Sequence, residues 1–430
     1  MKRALSKFFG VGSPEPKHAA HGPAPASDLR VRPGPSVPDA KLPRAAIVIL
    51  NLNGKHHLEG CFGSLAALDY PKDRLEVLLI DNASADGSVE EMRAKHAWVK
   101  LHVNERNVGF SAGCNQGARA ATAPEVLVFL NNDMRVERAW LKELVAPIVR
   151  GECTATTSKM FSWDGKLINS AGGGMNFHGI GIQRGLDEVP GPEHDVPVKT
   201  LFACGGAMAM DARAFHAVGG FDEEFFAYYE DVDLGWRSWV QGHECHYVPS
   251  SVCYHHHSST SKRLPPEMIR LLQTRNPVLA CFKNYDDENL RAVLAPLFAL
   301  YLRRMWCTSG LVDDKPFRIE QASNPALGGV KRLFDLARSN VQDEVGVKRI
   351  AAADLIGIND LLGRFEHWSA RRAAVQSKRK RADAEIFRLF LKPHWCIEGE
   401  KGYGELHQGM ERLFGLDRLF PADQLADPKK

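Results

Sequence analysis

From Arg44 onward the chain contains short apolar runs, each of which ends in polar residues. Four of these runs are rich in aliphatic and β-branched residues and have the length of buried strands. They read AAIVILN, LEVLLIDN, VKLHVN and EVLVFLNND. We therefore predict four strands within residues 44–133.

Helical segments are predicted between these strands. One covers residues 55–68 and another 110–121, and a third follows SADGSVEE, in which Ser88 and Glu91 have the spacing of a capping box. Alternating strands and helices are typical of an α/β fold with a mostly parallel sheet and helices on both faces. Such sheets bind ligands at the carboxyl ends of their strands, which is where the polar residues of these runs lie.

The rest of the chain is organised differently. Residues 200–226 predict a strand, a glycine pair, a strand end and a short helix capped by Asp211, and from Pro265 the pattern is mainly helical. Residues 12–43 are rich in Pro, Ala, Gly and Ser, which is typical of disorder. We therefore divide the chain into a disordered leader (1–43), an α/β domain (44–262) and a helical C-terminal region (263–430).

Composition narrows the class of protein. With 44% hydrophobic and 25% charged residues the chain is globular, and a net charge of +3 gives no argument for nucleic acid as a partner. Nine cysteines without a CxxC pair favour a reducing compartment. The N-terminus lacks the apolar core of a signal peptide, and the apolar run 292–302 is too short to span a bilayer. We expect a cytoplasmic protein, soluble or peripheral to the inner face of the plasma membrane.

Two strand ends carry candidate binding residues. In IDNASADGS, Asp81 can hydrogen-bond a nucleobase or a ribose hydroxyl with support from Asn82, although an Asx turn is the alternative. In FLNNDMRV, Asp133 can bind a divalent cation that also holds a diphosphate, although a helix cap is the alternative. Neither motif decides between its two interpretations alone.

The glycine-rich segment NERNVGFSAGCNQG lies between these strand ends. Its three glycines allow close approach of a ligand to the backbone, and the helix start favours anions. No Lys-Ser/Thr pair follows the glycines, and their spacing differs from the dinucleotide fingerprint. The segment indicates neither of those two phosphate-binding loops.

The stretch YYEDVDLGWRSWVQG places three acids at a predicted helix start. Val232, Trp236, Trp239 and Val240 form one apolar helix face, so the acids Glu230, Asp231 and Asp233 fall in the first turn. The helix dipole accounts for one or two acids there, but not for three acids beside two tyrosines. Farther along, CYHHHSST offers one or two histidines as metal ligands, with a solvated loop as the alternative.

Taken together, residues 44–261 resemble the family 2 glycosyltransferases, which have the GT-A fold, and most closely the rhamnosyltransferase- and galactofuranosyltransferase-like members. The motifs occur in family order: VILNLNG, IDNASADGS, NVGFSAGCNQG, FLNND, the GGAMAMDARAFHAVGGFDEEFFAYYEDVDLGWR stretch and the histidine. As a set they are specific. The resemblance implies a GT-A domain over 44–262.

The resemblance also implies a set of residues that bind a nucleotide-diphosphate sugar. Asp81 contacts the base, Asn53 and Asn82 shape its pocket, and the NVGFSAGCNQG segment lines nucleotide and sugar. The implied donor-binding set is Asn53, Asp81, Asn82, Gly109, Phe110, Asn115 and Asn132.

The remaining implied roles concern the metal and the chemistry. Asn131 replaces the first acid of the family's Asp-any-Asp motif, which leaves Asp133 as the ligand of a divalent cation, Mg²⁺ or Mn²⁺, together with His255. Asp231 matches the family's general base, and Glu230 stands beside it to orient the acceptor or the base. The implied reaction is inverting transfer, in one displacement, to a hydroxyl of a glycan or lipid-linked acceptor in surface-polysaccharide synthesis.

Other interpretations of the function and of two segments remain to be considered. Asn131 permits a non-catalytic nucleotide-sugar or glycan-binding module. A nucleotidyltransferase is disfavoured, because LNLNGKHHLEG lacks a Gly/Lys-rich signature. Residues 290–306 suit either an interfacial helix or one packed on the catalytic domain. Trp236 suits either the acceptor site or the core. Peripheral membrane contact and homo-oligomer formation are further interactions that the sequence allows.

Overall fold

The computed structural model describes residues 29–256, 264–309, 348–395 and 403–420. Its strands are β1 Ala45–Asn51, β2 Leu75–Asp81, β3 Lys100–Val103, β4 Val126–Asn131, β5 Met134–Val136, β6 Ala155–Ser162, β7 Ile168–Ser170, β8 Gly173–Met175, β9 Gly181–Gln183, β10 Val198–Lys199, β11 Ala207–Asp211 and β12 Cys245–His255.

The α-helices of the described residues lie among the strands as far as β12 and follow one another after it. They are α1 Lys55–Ala66, α2 Ser88–Lys95, α3 Phe110–Ala120, α4 Trp140–Val149, α5 Ala212–Val218, α6 Glu230–Val240, α7 Pro266–Asn284, α8 Asp287–Ser309, α9 Arg349–Gly363, α10 Phe365–Gln376, α11 Asp383–Ile386, α12 Tyr403–Phe414 and α13 Leu416–Leu419.

One mixed sheet organises the first half of the chain. Its main path is β10-β12-β6-β11-β4-β1-β2-β3, while β5 pairs with β12 and β7 with β6. The strands β1, β2, β3 and β4 are mutually parallel, and β6 and β12 share their direction because β11 lies antiparallel between β4 and β6. The predicted α/β class with a mostly parallel sheet and a helical C-terminal region is confirmed.

The strand register brings the predicted polar ends together. Asn51 of β1 lies opposite Asp81 of β2, and Leu50 lies opposite Asn131 of β4. The parallel strands β1, β2 and β4 are buried along most of their length, as their continuous aliphatic runs require, whereas β3 at the edge of the sheet is largely exposed. Three polar strand ends therefore meet at one edge of the sheet.

The C-terminal helices pack on the α/β domain through a shared core. Trp236 of α6 is fully buried there, with its ring 4.7 Å from that of Tyr285 and 5.6 Å from that of Phe390. Leu297 and Leu300 of α8 belong to the same core. Trp236 is thus a core residue, and residues 290–306 form a packed helix. Among the described helices, none combines the length and the apolarity needed to span a bilayer.

The leader prediction is wrong for residues 29–43, while residues 1–28 lie outside the described residues. Arg30 forms an isolated bridge with Val198, and Leu42 is buried. Residues 39–41 form a short 3₁₀-helix, and side chains of the domain supply further hydrogen bonds to the backbone of the segment. Arg74 donates to the carbonyls of residues 39, 40 and 42, and Arg150 to that of Pro35.

Two predicted helix caps can be checked directly. Asp211 caps α5 as expected, because its carboxylate accepts from the backbone N–H of Ala214 at 2.8 Å. The capping box at Ser88 is wrong. Helix α2 begins at Ser88, and Asp86 accepts from the Ser88 backbone N–H at 3.0 Å. The capping acceptor therefore lies two residues earlier than the spacing suggested.

Candidate active site

The acid pair lies at the start of α6, next to the glycine pair that precedes β11. Asp231 accepts hydrogen bonds from the backbone N–H groups of Gly205, at 2.9 Å, and Val232, at 2.8 Å. Its side chain is partly exposed, whereas Glu230 is only 7% exposed. Helix α6 thus presents one reachable carboxylate that is held in a fixed orientation.

Burial shifts both carboxyl groups towards their protonated forms. Burial, and then the charge of Asp231, raise the pKa of Glu230 to about 8. Burial also raises the pKa of Asp231, against the opposing effect of the N–H groups of Gly205 and Val232. The Oε2 atom of Glu230 is buried and finds no hydrogen-bond partner among the described residues. Burial thus favours the protonated form of Glu230 more than it does for an exposed glutamate.

Asp133 and His255 come together although 122 residues separate them in sequence. The His255 Nε2 atom lies 3.3 Å from the Asp133 Oδ1 atom. The His255 Nδ1 atom lies 2.8 Å from Asn169 Oδ1. An amide oxygen accepts only, so Nδ1 donates to Asn169 and Nε2 is the ring nitrogen that faces Asp133.

A carboxylate oxygen and an imidazole nitrogen at that separation fit two neighbouring ligands of one divalent cation. Two ligands about 2.1 Å from an octahedral ion lie about 3 Å apart. The site joins the end of β4 to the end of β12, because His255 lies opposite Met134 of β5. Among the other histidines, His256 stacks on Trp163 with ring centroids 3.7 Å apart, and His257 lies outside the described residues.

Asp81 and Asn53 belong to one hydrogen-bond network beyond β1 and β2. Asp81 accepts from Asn51 Nδ2 and from the Ser84 backbone N–H, each at 2.8 Å. The Asn53 backbone N–H donates to Ser84 Oγ, and Asn53 Oδ1 accepts from the Ala85 N–H, each at 2.7 Å. Asp81 thus makes the local turn contact that was its alternative interpretation. Its contact with a base stays a prediction.

Asn82 connects β2 to the glycine-rich segment. Its Nδ2 donates to the Gly109 carbonyl and to Asn107 Oδ1, both at 3.1 Å, and its Oδ1 accepts from Asn104 Nδ2 at 2.9 Å. Asn132 is bonded in a similar way, since its amide donates to Asn51 Oδ1 at 2.6 Å. These buried amides fix the loops around the strand ends.

Gly109 and Phe110 lie against the segment that leads into the acid pair. The backbone N–H groups of Phe110 and Ser111 donate to the Phe226 carbonyl at 2.6 and 3.2 Å. Asn115 braces the same region, because its carboxamide bonds both backbone groups of Phe221 and the carboxylate of Glu223. The structure thus gives Asn115 a structural contact, and its contact with a nucleotide stays a prediction.

Residues 46–218 match the family model described as "Glycosyl transferase family 2". The chain contains a family 2 glycosyltransferase domain. The acid pair and His255 lie C-terminal to the matched residues, so the candidate site of this glycosyltransferase domain extends beyond them.

Curated proteins similar to the chain include one bacterial and one animal glycosyltransferase. N-acetylglucosaminyl-diphospho-decaprenol L-rhamnosyltransferase from Mycobacterium tuberculosis is 27% identical, over 51% of this chain and 78% of its own length. Polypeptide N-acetylgalactosaminyltransferase 11 from Xenopus tropicalis is 31% identical, over 41% of this chain and 32% of its own length. The chain therefore spans about a third of the latter relative. The crystal structure of GalNAc-T7 with UDP, GalNAc and Mn²⁺ is 19% identical and covers 69% of this chain and 54% of its own, with a TM-score of 0.48.

Sequence reasoning about the glycosyltransferase domain missed two residues and misread a third. The N–H of Gly205, which orients Asp231, and Asn169, which orients His255, carry no motif, although the glycine pair 205–206 was a visible signal. The helix dipole, which we expected to account for one or two of the acids at the start of α6, does not describe the surroundings of Asp233. That residue is fully buried and accepts from Arg237 Nε at 2.7 Å and from Asn284 Nδ2 at 3.0 Å.

Replacing Gly109 with alanine should disrupt the glycosyltransferase domain locally. Gly109 has φ +87°, and an added Cβ would lie 2.6 Å from the ring and from the carbonyl oxygen of Phe226. We expect a loss of about 1–3 kcal/mol in the free energy of unfolding, measured by urea denaturation. The matched control is Gly63→Ala at an exposed position of helix α1, where a Cβ meets nothing within 4 Å. The free energy of unfolding of that variant should rise by about 0.5–1 kcal/mol. Equal effects of the two changes would contradict the close packing of Gly109 against Phe226.

Proposed function

We propose that the protein is an inverting glycosyltransferase, which moves a sugar from a nucleotide-diphosphate donor to a hydroxyl group of a glycan or lipid-linked acceptor in surface-polysaccharide synthesis. The observation that carries this proposal is the acid pair: a reachable, oriented Asp231 beside a buried Glu230, within a chain that has a family 2 glycosyltransferase domain. The proposed donor is of the dTDP-rhamnose or UDP-sugar type. Transfer of rhamnose and a lipid-linked acceptor agree with the name of the mycobacterial relative.

Asp231 acts as the general base in this proposal. The acceptor oxygen attacks the anomeric carbon from the face opposite the nucleoside diphosphate, and the bond from that carbon to the diphosphate oxygen breaks in the same step. The acceptor proton passes to Asp231. The N–H groups of Gly205 and Val232 hold the carboxylate while it does so. They also favour its charged form against the effect of burial.

Glu230 has a different task because its environment differs. With a pKa raised to about 8 by burial and by Asp231, it keeps its proton at neutral pH and can donate a hydrogen bond. A neutral acid cannot serve as a second base. We therefore assign Glu230 the role of orienting the acceptor or the base, which leaves the negative charge of the pair on Asp231.

Asp133 and His255 would hold the divalent cation, Mg²⁺ or Mn²⁺. When bound, the cation offsets the charge that develops on the diphosphate. Asn169 contributes by fixing the His255 ring, so that Nε2 faces Asp133. The donor itself would contact the loops around Asn53, Asp81, Asn82, Gly109 and Asn132. We place the protein in the cytoplasm, peripheral to the inner face of the plasma membrane, and the nine cysteines without a CxxC pair support the reducing compartment.

Metal binding provides a test that needs no turnover. Calorimetric titration with Mn²⁺ should give at least a tenfold weaker affinity for His255→Ala than for the wild type. Asn169→Ala removes only the hydrogen bond that orients the His255 ring, so the affinity for Mn²⁺ should fall by at most about 10–100-fold. His256→Ala is the matched control, since that ring stacks on Trp163. A His255→Ala variant that binds Mn²⁺ like the control would remove His255 from the site.

The proposed function is tested with a panel of nucleotide sugars, a divalent cation and a lipid-linked acceptor, with mass spectrometry of the products. Transfer from one donor is expected. The second candidate, a non-catalytic nucleotide-sugar or glycan-binding module, is favoured by Asn131, which stands where the family usually has an acid. Calorimetric binding of a donor without any product would support that candidate and contradict the proposed function.

A further inference from the structure

The segment between Phe225 and Glu230 has an unusual backbone. Phe226, Tyr228 and Tyr229 have φ values of +62°, +67° and +65°, although none of them is glycine. Phe226 has ψ −63° and the Ala227 N–H donates to the Phe225 carbonyl at 2.7 Å, which makes Phe226 the centre of a γ-turn. Residues in such regions cost about 1–3 kcal/mol each and persist only where their surroundings hold them.

Asn276 supplies much of what holds this segment. It lies on α7, in the C-terminal region, and its side chain is 0% exposed. Its Nδ2, which carries two hydrogens, lies within hydrogen-bond distance of the carbonyls of Phe225 at 3.0 Å, Ala227 at 2.9 Å and Tyr228 at 2.7 Å. One side-chain amide therefore contacts three of the four carbonyls from Phe225 to Tyr228.

The orientation of the Asn276 amide is determined by its neighbours. The three carbonyl oxygens can only accept, and Arg275 Nε, which can only donate, lies 3.0 Å from Asn276 Oδ1. The remaining carbonyl, that of Phe226, accepts from the N–H groups of Phe110 and Ser111. The segment is thus fixed on one side by α7 and on the other by the glycine-rich segment.

We propose that Asn276 is a positioning residue for the acid pair, so that the C-terminal helical region completes the active site; this inference rests on the proposed function. Tyr229 is the last residue before α6, and Glu230 and Asp231 follow it directly. The direction in which these two acidic side chains point depends on the positive φ values at Tyr228 and Tyr229, which Asn276 stabilises. Asn276 lies outside residues 46–218, so a chain that ends with the matched domain would lack it.

The variant that isolates this role is Asn276→Asp, which keeps the shape of the side chain but replaces the donating amide by an oxygen. We expect kcat to fall about 100-fold, the cost of a small misplacement of a catalytic group, with the dissociation constant of the donor changed less than threefold. Asn276→Ala, which removes the hydrogen-bond donor without adding a charge, should likewise lower kcat without a comparable change in affinity for the nucleotide sugar. Asn289→Ala is the matched control, because that amide binds Asp286 and Asp383 instead.

Hydrogen–deuterium exchange of the same variants gives a readout that does not require turnover. We expect faster exchange over residues 225–231 in both Asn276 variants and wild-type exchange there in Asn289→Ala. Unchanged exchange, or faster exchange with kcat retained, would overturn the proposal. If the wild type transfers no sugar from any donor, the proposed function is refuted, and exchange over residues 225–231 alone then decides whether Asn276 holds the segment.

Discussion

Asp231→Asn is expected to lower kcat for sugar transfer by about 10²–10⁴-fold, the usual contribution of a general base. Asparagine keeps the size of the side chain and can still accept through its oxygen from the N–H of Gly205 or Val232. It cannot take a proton. Donor affinity, measured by calorimetry, should change only a few fold because the proposed donor contacts lie in other loops.

The pH dependence of transfer gives the same prediction a second readout. Since burial raises the pKa of Asp231, transfer by the wild type should rise with pH as Asp231 loses its proton. It should fall again as Glu230, with a pKa of about 8, loses the proton that it donates in a hydrogen bond. In Asp231→Asn, the increase in transfer that comes from deprotonation of the base should be absent. Asp73→Asn, at an exposed position, is the control. Wild-type transfer by Asp231→Asn would refute the assignment of the base.

Asp233→Ala is expected to have the largest effect on stability. Asp233 is 0% exposed, and Lys283 Nζ, from a side chain only 2% exposed, lies 2.9 Å from its Oδ1 atom. Arg237 Nε lies 2.7 Å from its Oδ2 atom. Loss of the carboxylate leaves these cations buried with too little compensating charge, which typically costs 3–5 kcal/mol.

Urea denaturation measures this loss directly. Asp73→Ala, an exposed aspartate of the same domain, is the control and should stay within about 0.5 kcal/mol of the wild type. A loss below about 1 kcal/mol in Asp233→Ala would show that the network between α6 and α7 contributes little to stability. Helix α6 would then be held by its apolar face alone.

The same network predicts sensitivity to acid. Burial alone would raise the pKa of Asp222, but the charge of Lys283 and the hydrogen bond from Arg371 outweigh it and hold that pKa well below its usual range. A depressed pKa stabilises the fold above the ordinary value near 4 and loses that contribution as the pH falls below it. Lys283→Met should therefore weaken the dependence of unfolding free energy on pH below about pH 4.

Local patterns were sufficient to predict the sheet edge. Aliphatic runs that end in Asn51, Asp81 and Asn131 predicted parallel strands, and the register of the sheet then brings those ends together. The pairing of Asp133 with His255 could be expected only through the family resemblance, because 122 residues separate them and no local rule links β4 to β12.

Long-range polar contacts explain most of what the sequence did not predict. Asn169, Gly205 and Asn276 act through hydrogen bonds to residues 86, 26 and 48–51 positions away, and each is an ordinary residue in its own neighbourhood. The leader was misjudged for a similar reason. Its composition is rich in Pro, Ala, Gly and Ser, but Arg74 and Arg150 of the domain donate hydrogen bonds to its backbone.

The most direct measurement of the central claim is the anomeric configuration of the sugar in the purified product, determined by NMR after transfer from a donor of known configuration. A single displacement assisted by Asp231 predicts inversion at the anomeric carbon. A product with retained configuration would contradict the mechanism. Donor binding without any product would contradict the proposed function.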